Sequence, residues 1–263
     1  MSVSLLLRQR ALIIAMARRE VFDRYAGQMF GVLWAIAHPL IVIGVYLFIF
    51  NVVLRVRIGS TAALPMDYPV YLLSGVIPWL TIAEILNKSG VTIVANASLV
   101  KQVVFPVEVL PVKTVLAAMP GQLAGLVVLV IYVLAVHRTL PWTYLFLPAL
   151  LALQFVFMAG LAMGLAALGV FVRDLKDLVQ VFTVIGVYLL PILYLPAMVP
   201  ESVRPLLYLN PFSYLIWCYQ DVLFFGAIRH PTAWIVALGL CVVSFAGGWR
   251  LFQRLRPAFG NAL

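Results

Sequence analysis

Six long apolar stretches, separated by short polar or proline-bearing connections, constrain this 263-residue chain more than any other feature. Runs of about 18 or more apolar residues are long enough to cross a bilayer as helices. In lipid every backbone polar group needs an internal partner, so only helices and closed barrels can span. A barrel would show short segments of alternating polarity. Stretches such as Ile41–Phe50 and Leu123–Val136 do not alternate. Hydrophobic residues make up 65% of the chain and charged residues 10%, which leaves little for a soluble domain. The sequence predicts an all-α integral membrane protein.

The predicted spans are about residues 32–54, 70–87, 107–136, 142–172, 178–195 and 232–249. Residues 1–31 precede them as a cytoplasmic interface helix, and 32–263 form one transmembrane domain. In the leading segment Ile14, Val21, Phe22, Tyr25 and Met29 recur near helical spacing. Arg19 can face Asp23, and Glu20 can face Arg24, at i,i+4. That pattern suggests an amphipathic helix at the membrane surface. Ala15-Met16-Ala17 resembles a cleavage site, but the apolar run before it is too short for a signal peptide, so the segment is expected to be retained. Pro196–Pro231 is apolar only in short, proline-punctuated pieces, which fit re-entrant or interfacial structure better than a seventh span.

A formal charge of +9 raises the possibility of nucleic-acid binding, but the basic residues crowd the two ends of the chain. With loops assigned alternately to the two sides, thirteen of the eighteen Lys and Arg residues fall on the side of the termini and five on the other. The positive-inside rule then makes both ends cytoplasmic. Cys218 and Cys241 are too few for a disulfide framework and read as small apolar residues.

Signs of chemistry are sparse. The chain has no phosphate-binding loop of the G-x-x-x-x-G-K-[ST] type, no His or Cys pair at metal-ligand spacing, and no Ser-His-Asp set. His38, His137 and His230 are scattered. Glu84, Glu108 and Lys113 are ionisable residues within or beside spans, where a functional role is the default reading. Glu108 and Lys113 stand near a span end and are expected to reach the interface by snorkelling. Gly27/Gly31, Gly121/Gly125 and Gly160/Gly164 have the spacing that lets membrane helices approach closely.

Several blocks carry a resemblance. RREVFDRYAGQMFGVLWAIAHPLIVIGVYLFIF (Arg18–Phe50), VFPVEVLPVK (Val104–Lys113), GVFVRDLKDLVQ (Gly169–Gln180), PILYLPAMVPESVRPLLYLNPFSYLIWCYQDVLFFG (Pro191–Gly226) and the terminal LFQRLRPAFGNAL (Leu251–Leu263) resemble, in order, permeases of ABC-2-type polysaccharide exporters. That family includes the O-antigen, capsule and teichoic-acid exporters. His38-Pro39 departs from the Asn-Pro more common there.

The resemblance implies a six-span homodimer in a bacterial inner membrane, paired with two copies of a separate ABC ATPase. That partner binds ATP and Mg; this chain needs no cofactor, metal or catalytic residue of its own. The cargo is a polysaccharide on a lipid carrier, with O-antigen favoured by the short basic tail. The ATPase contacts would involve Glu20, Arg24, Tyr25, Asn96, Lys101, Phe105 and Pro106. An outer-side gate of re-entrant helices would include Pro191, Tyr194, Pro200, Asn210, Pro211 and Tyr219. Two rival readings stand beside this one: an ABC-2 exporter of drugs or lipids, and a membrane-embedded enzyme acting on lipid-linked sugars.

Overall fold

The structure, a computed structural model, describes residues 8–24, 26–53, 65–102 and 105–263. Every regular element among them is helical. Helix α1 covers Arg10–Arg24 and leads to α2 (Trp34–Leu47), which continues through a π-helical turn, Phe48–Val53. Then follow α3 (Tyr68–Ser89), the short α4 (Ala97–Gln102) and α5 (Val109–His137). Helix α6 (Leu147–Gly169) is entered through a 3-10 turn, Trp142–Phe146, and α7 covers Leu175–Leu189. The short α8 (Pro205–Leu209) precedes α9 (Pro211–Gln220), which ends in a π-helical turn, Asp221–Phe225. Helix α10 (Pro231–Leu255) and a short tail, with α11 at Phe259–Ala262, close the chain.

Among the described residues, four helical stretches are both long and apolar enough to cross a membrane: Tyr68–Ser89, Val109–His137, Trp142–Gly169 and Pro231–Ala258. The chain is therefore a multi-pass α-helical membrane protein. Helix α7 is shorter, about 22 Å at 1.5 Å per residue. It stops at Leu189 because the residue before a proline is pushed out of the helical region, and Leu190, before Pro191, is extended (φ −106°, ψ 153°).

Helix α3 stands at the centre of the bundle, with 83% of its apolar window buried. It packs with α5, α6 and α9 into the main apolar core. A second cluster lies at the end of the bundle where α1 meets the C-terminal tail, the terminal end. There Ile13 of α1 joins Val109 and Leu110 of α5, Met163 and Ala166 of α6, Phe252 of α10 and Phe259 of the tail.

A close helix contact joins α6 to α10. A Cβ added at Gly160 would come within 2.3 Å of the Ser244 carbonyl carbon, and one at Gly248 within 1.9 Å of the Gly160 carbonyl oxygen. Ser244 Oγ, in the same contact, donates to the Phe157 carbonyl at 3.1 Å. Gly125 is crossed closely by Ile77 and Ile43. The expected Gly27/Gly31 pair behaves differently. Both residues have positive φ (78° and 50°), and a Cβ at either would meet nothing within 4 Å. They shape the turn between α1 and α2, because only glycine adopts that conformation without strain.

The α6–α10 contact predicts that Gly160→Ala and Gly248→Ala each cost about 1–3 kcal/mol through overpacking. Thermal unfolding in detergent should show a lowered midpoint for both. Gly164→Ala, whose Cβ would sit 3.9 Å from the Gly248 Cα, should leave the midpoint unchanged.

Candidate functional site: the terminal-end junction and the opposite-end cap

Two buried charges open α5, and each is paired by a different end of the chain. Lys113 Nζ lies 2.8 Å from Glu20 Oε2 of α1. Glu108, fully buried, accepts hydrogen bonds from Arg256 at 2.6 Å and Gln253 at 2.9 Å. The snorkelling expected of Glu108 and Lys113 does not occur, because α1 and the end of α10 cover these positions. An unpaired buried charge is strongly destabilising, so helices that cover one must also supply its partner.

The inward stripe of α1 differs from the expected one by about one residue. Ile13 and Ala17 are buried, whereas Ile14 is 57% and Phe22 48% exposed. Glu20 falls on the inward side and pairs with Lys113; the expected Glu20–Arg24 pair lies outside the described residues. The expected Arg19–Asp23 pair is present at 3.1 Å on the outward side.

The residues expected to meet an ATPase gather at this end. Phe105 packs half-buried against the cluster that holds Ile13, and Val100 of α4 joins it. The Asn96 side chain donates to the Thr92 carbonyl at 2.7 Å, and Lys101 is exposed. Pro106 is half-buried, and its carbonyl receives the Val109 amide at 2.9 Å as α5 begins. Arg24 ends α1; its side chain, like Tyr25 and residues 103–104, lies outside the described part.

At the opposite end the chain unwinds after α7, and α3 and α9 satisfy the exposed backbone. The Tyr71 hydroxyl donates to the carbonyls of Pro191 (3.0 Å) and Tyr194 (2.9 Å). Tyr68 donates to the Leu193 carbonyl at 2.9 Å, and Gln220 Nε2 to that of Pro191 at 2.6 Å. Tyr194 itself donates to the Tyr188 carbonyl at 2.8 Å. Irregular backbone at membrane depth needs such partners. The chain then runs over an exposed turn at Pro200, whose carbonyl accepts from the Val203 and Arg204 amides. It re-enters the bundle at α9, where Asn210 caps the helix by accepting from the Phe212 amide at 3.1 Å, with Pro211 in the first turn. Such a start is favourable because Asn fills the N-cap acceptor role and proline lacks only an amide that the first turn leaves unpaired.

Helix α9 is a core element at its far end. Tyr219, fully buried, donates to Gln154 of α6 and accepts from Gln122 of α5. The two glutamines also bond one another at 2.8 and 2.9 Å. Next in the chain, the buried Asp221 accepts from the His230 amide (3.0 Å), pairs with His230 Nδ1 (2.7 Å) and accepts from Trp234 Nε1 (3.1 Å), which ties the segment to the start of α10. Of the expected gate residues, Pro191, Tyr194, Asn210, Pro211 and Tyr219 all lie in this cap, and Pro200 lies on its exposed rim. Sequence reasoning missed Tyr68, Tyr71, Gln122, Gln154, Gln220 and Asp221. Two glutamines inside apolar runs and an aspartate in an apolar segment were the available signals.

The sequence profile of the ABC-2 type transporter family matches residues 11–224, which contain Glu20, Glu108 and Lys113 of the junction and the segment from Pro191 to Asp221. The chain belongs to that family. It is thus a transporter subunit of the membrane rather than an enzyme. It is also similar over almost its whole length to proteins named O-antigen export system permease protein RfbA. One from Klebsiella pneumoniae is 28% identical over 254 residues, 96% of this chain and 95% of its own length. One from Myxococcus xanthus is 26% identical over 256 residues, 97% of this chain and 96% of its own.

Tyr71→Phe should remove the hydroxyl donor of the Tyr194 carbonyl, while the Pro191 carbonyl keeps that of Gln220. A buried group left unpaired costs about 1–3 kcal/mol. The expected result is a lower unfolding midpoint together with faster hydrogen exchange or proteolysis across 191–199. An unchanged midpoint with unchanged exchange would contradict the role assigned to Tyr71.

Proposed function

We propose that this chain is the membrane subunit of an ATP-driven exporter that moves lipid-linked polysaccharide, most specifically O-antigen, across a bacterial inner membrane. The observation that carries this reading is the near end-to-end similarity to O-antigen export permeases from two organisms, with both chains covered at 95% or more. A shared short module would not give that coverage.

In this reading α2 with its π-helical turn, and α7, complete six spans, and both termini are cytoplasmic, in keeping with the distribution of basic residues. Two copies form the conduit with two copies of an ABC ATPase, which binds ATP and Mg. The ATPase sits against α1 and the loop through α4, with Glu20, Arg24, Tyr25, Asn96, Lys101, Phe105 and Pro106 at or beside the contact. Movement of α1 passes to α5 through the Glu20–Lys113 pair, and to α10 through Glu108 and Arg256. The segment from Pro191 through Asp221 is the re-entrant gate on the outer side, and its displacement opens the path for the polymer.

Deletion of the gene tests the assignment. Surface O-antigen should be lost and lipid-linked polymer should accumulate inside the cell. Normal surface glycan without accumulation would overturn the proposal. Drug sensitivity with intact glycan would favour export of a different cargo.

A further inference from the structure

At the terminal end a cleft of about 480 Å³ opens between α2, α3 and α5, with Val21 and Gln28 at its edge. Sites for small ligands occupy about 300–1,000 Å³. The cleft is divided by chemistry. Thr81, Glu84 and Lys88 of α3 form a polar rim, and Val42, Ile77 and Pro120 line the apolar depth. Lys88 and Ile77 lie eleven residues apart on one helix, so the cleft runs about 16 Å along α3. At the rim Lys88 Nζ and Glu84 Oε1 are paired at 2.8 Å, each side chain about one-third exposed.

We propose that this cleft is a binding site for a zwitterionic phospholipid of the leaflet at the terminal end, such as phosphatidylethanolamine. One acyl chain occupies the apolar depth. The headgroup lies across the ion pair, its phosphate toward Lys88 and its ammonium toward Glu84. Charge complementarity selects this occupant. A lipid carrying only negative charge gains Lys88 but meets the Glu84 carboxylate, whereas a headgroup with both signs matches the ion pair as it stands. A bare acyl surface would leave the rim unused. The site is separate from the cargo proposed above and does not depend on it. Its role is to fill the wedge between α2 and the central helix α3, so that the junction below can move without opening the bundle to water.

The experiment uses the purified full-length protein in vesicles of phosphatidylglycerol. The vesicles carry a trace of lipid with a photoactivatable acyl chain, whose headgroup is phosphatidylethanolamine, phosphatidylglycerol or polyprenyl phosphate. Peptide mapping after illumination reads the labelled positions. The phosphatidylethanolamine probe should label Val42, Ile77 and their neighbours above the level on the outward face of α10 (Ile235, Leu238, Val242), which reports ordinary bilayer contact. The other two probes should label only that outward face. Leu80→Trp, which fills the cleft, should abolish the cleft labelling and keep the α10 labelling. Glu84→Gln combined with Lys88→Gln, which leaves the apolar depth intact, should lose the preference for phosphatidylethanolamine. Equal cleft labelling by all three headgroups, labelling by polyprenyl phosphate instead, or a cleft closed to every probe would each overturn the proposal. An export assay reads the cargo separately, so failure here leaves the transport assignment standing.

Discussion

The hydroxyl of Tyr71, shared between the Pro191 and Tyr194 carbonyls, is the contact on which the arrangement at the cap depends. Pro191 ends helical structure after α7 and exposes backbone acceptors within an apolar bundle. Lipid offers such acceptors nothing. Tyr68, Tyr71 and Gln220 supply donors from α3 and α9 to the carbonyls of Pro191, Leu193 and Tyr194, and this lets the chain turn back over the bundle. The central helix therefore does two jobs: it fills the core, and it holds the irregular segment that follows α7.

The terminal end solves a different problem by related means. Helix α5 begins with a buried acid and a buried base, and each finds its partner on a separate part of the chain. Glu20 brings in α1, while Arg256 and Gln253 bring in the end of α10. The apolar cluster around Ile13, Val109, Met163 and Phe252 seals the same junction. Because these pairs are buried, displacing one helix without the others would leave a charge uncompensated. The junction is thus built to move as a unit. The glycine contact between α6 and α10 adds a rigid seam, since backbone meets backbone with no side chain to yield.

Much of this was legible in the sequence. The long unalternating runs announced helices in a membrane, and the prolines from 191 to 211 announced a segment unlike the others. The Arg19–Asp23 pair followed from helical spacing. Other features were hidden because they depend on which helix lies opposite. Spacing allowed Glu20 to meet Arg24, but only tertiary packing brings Lys113 into reach. Glu108 read as a residue near a span end, and nothing local revealed that Arg256, 148 positions later, would cover it. Gly27 and Gly31 have the spacing of a packing pair but serve a turn, a difference that lies in φ rather than in sequence. Gln122, Gln154 and Tyr219 are unremarkable singly and form a network only once three helices converge.

In the proposed arrangement the junction and the cap face opposite sides of the membrane, with a bundle between them. Cysteine accessibility in sealed vesicles of defined orientation tests this most directly. The natural cysteines, Cys218 and Cys241, are both buried and give little background. A cysteine replacing Glu201, on the exposed rim of the cap, should react with a membrane-impermeant maleimide only in right-side-out vesicles. One replacing Lys101 should react only in inside-out vesicles. Reaction of both positions from the same side would contradict the account.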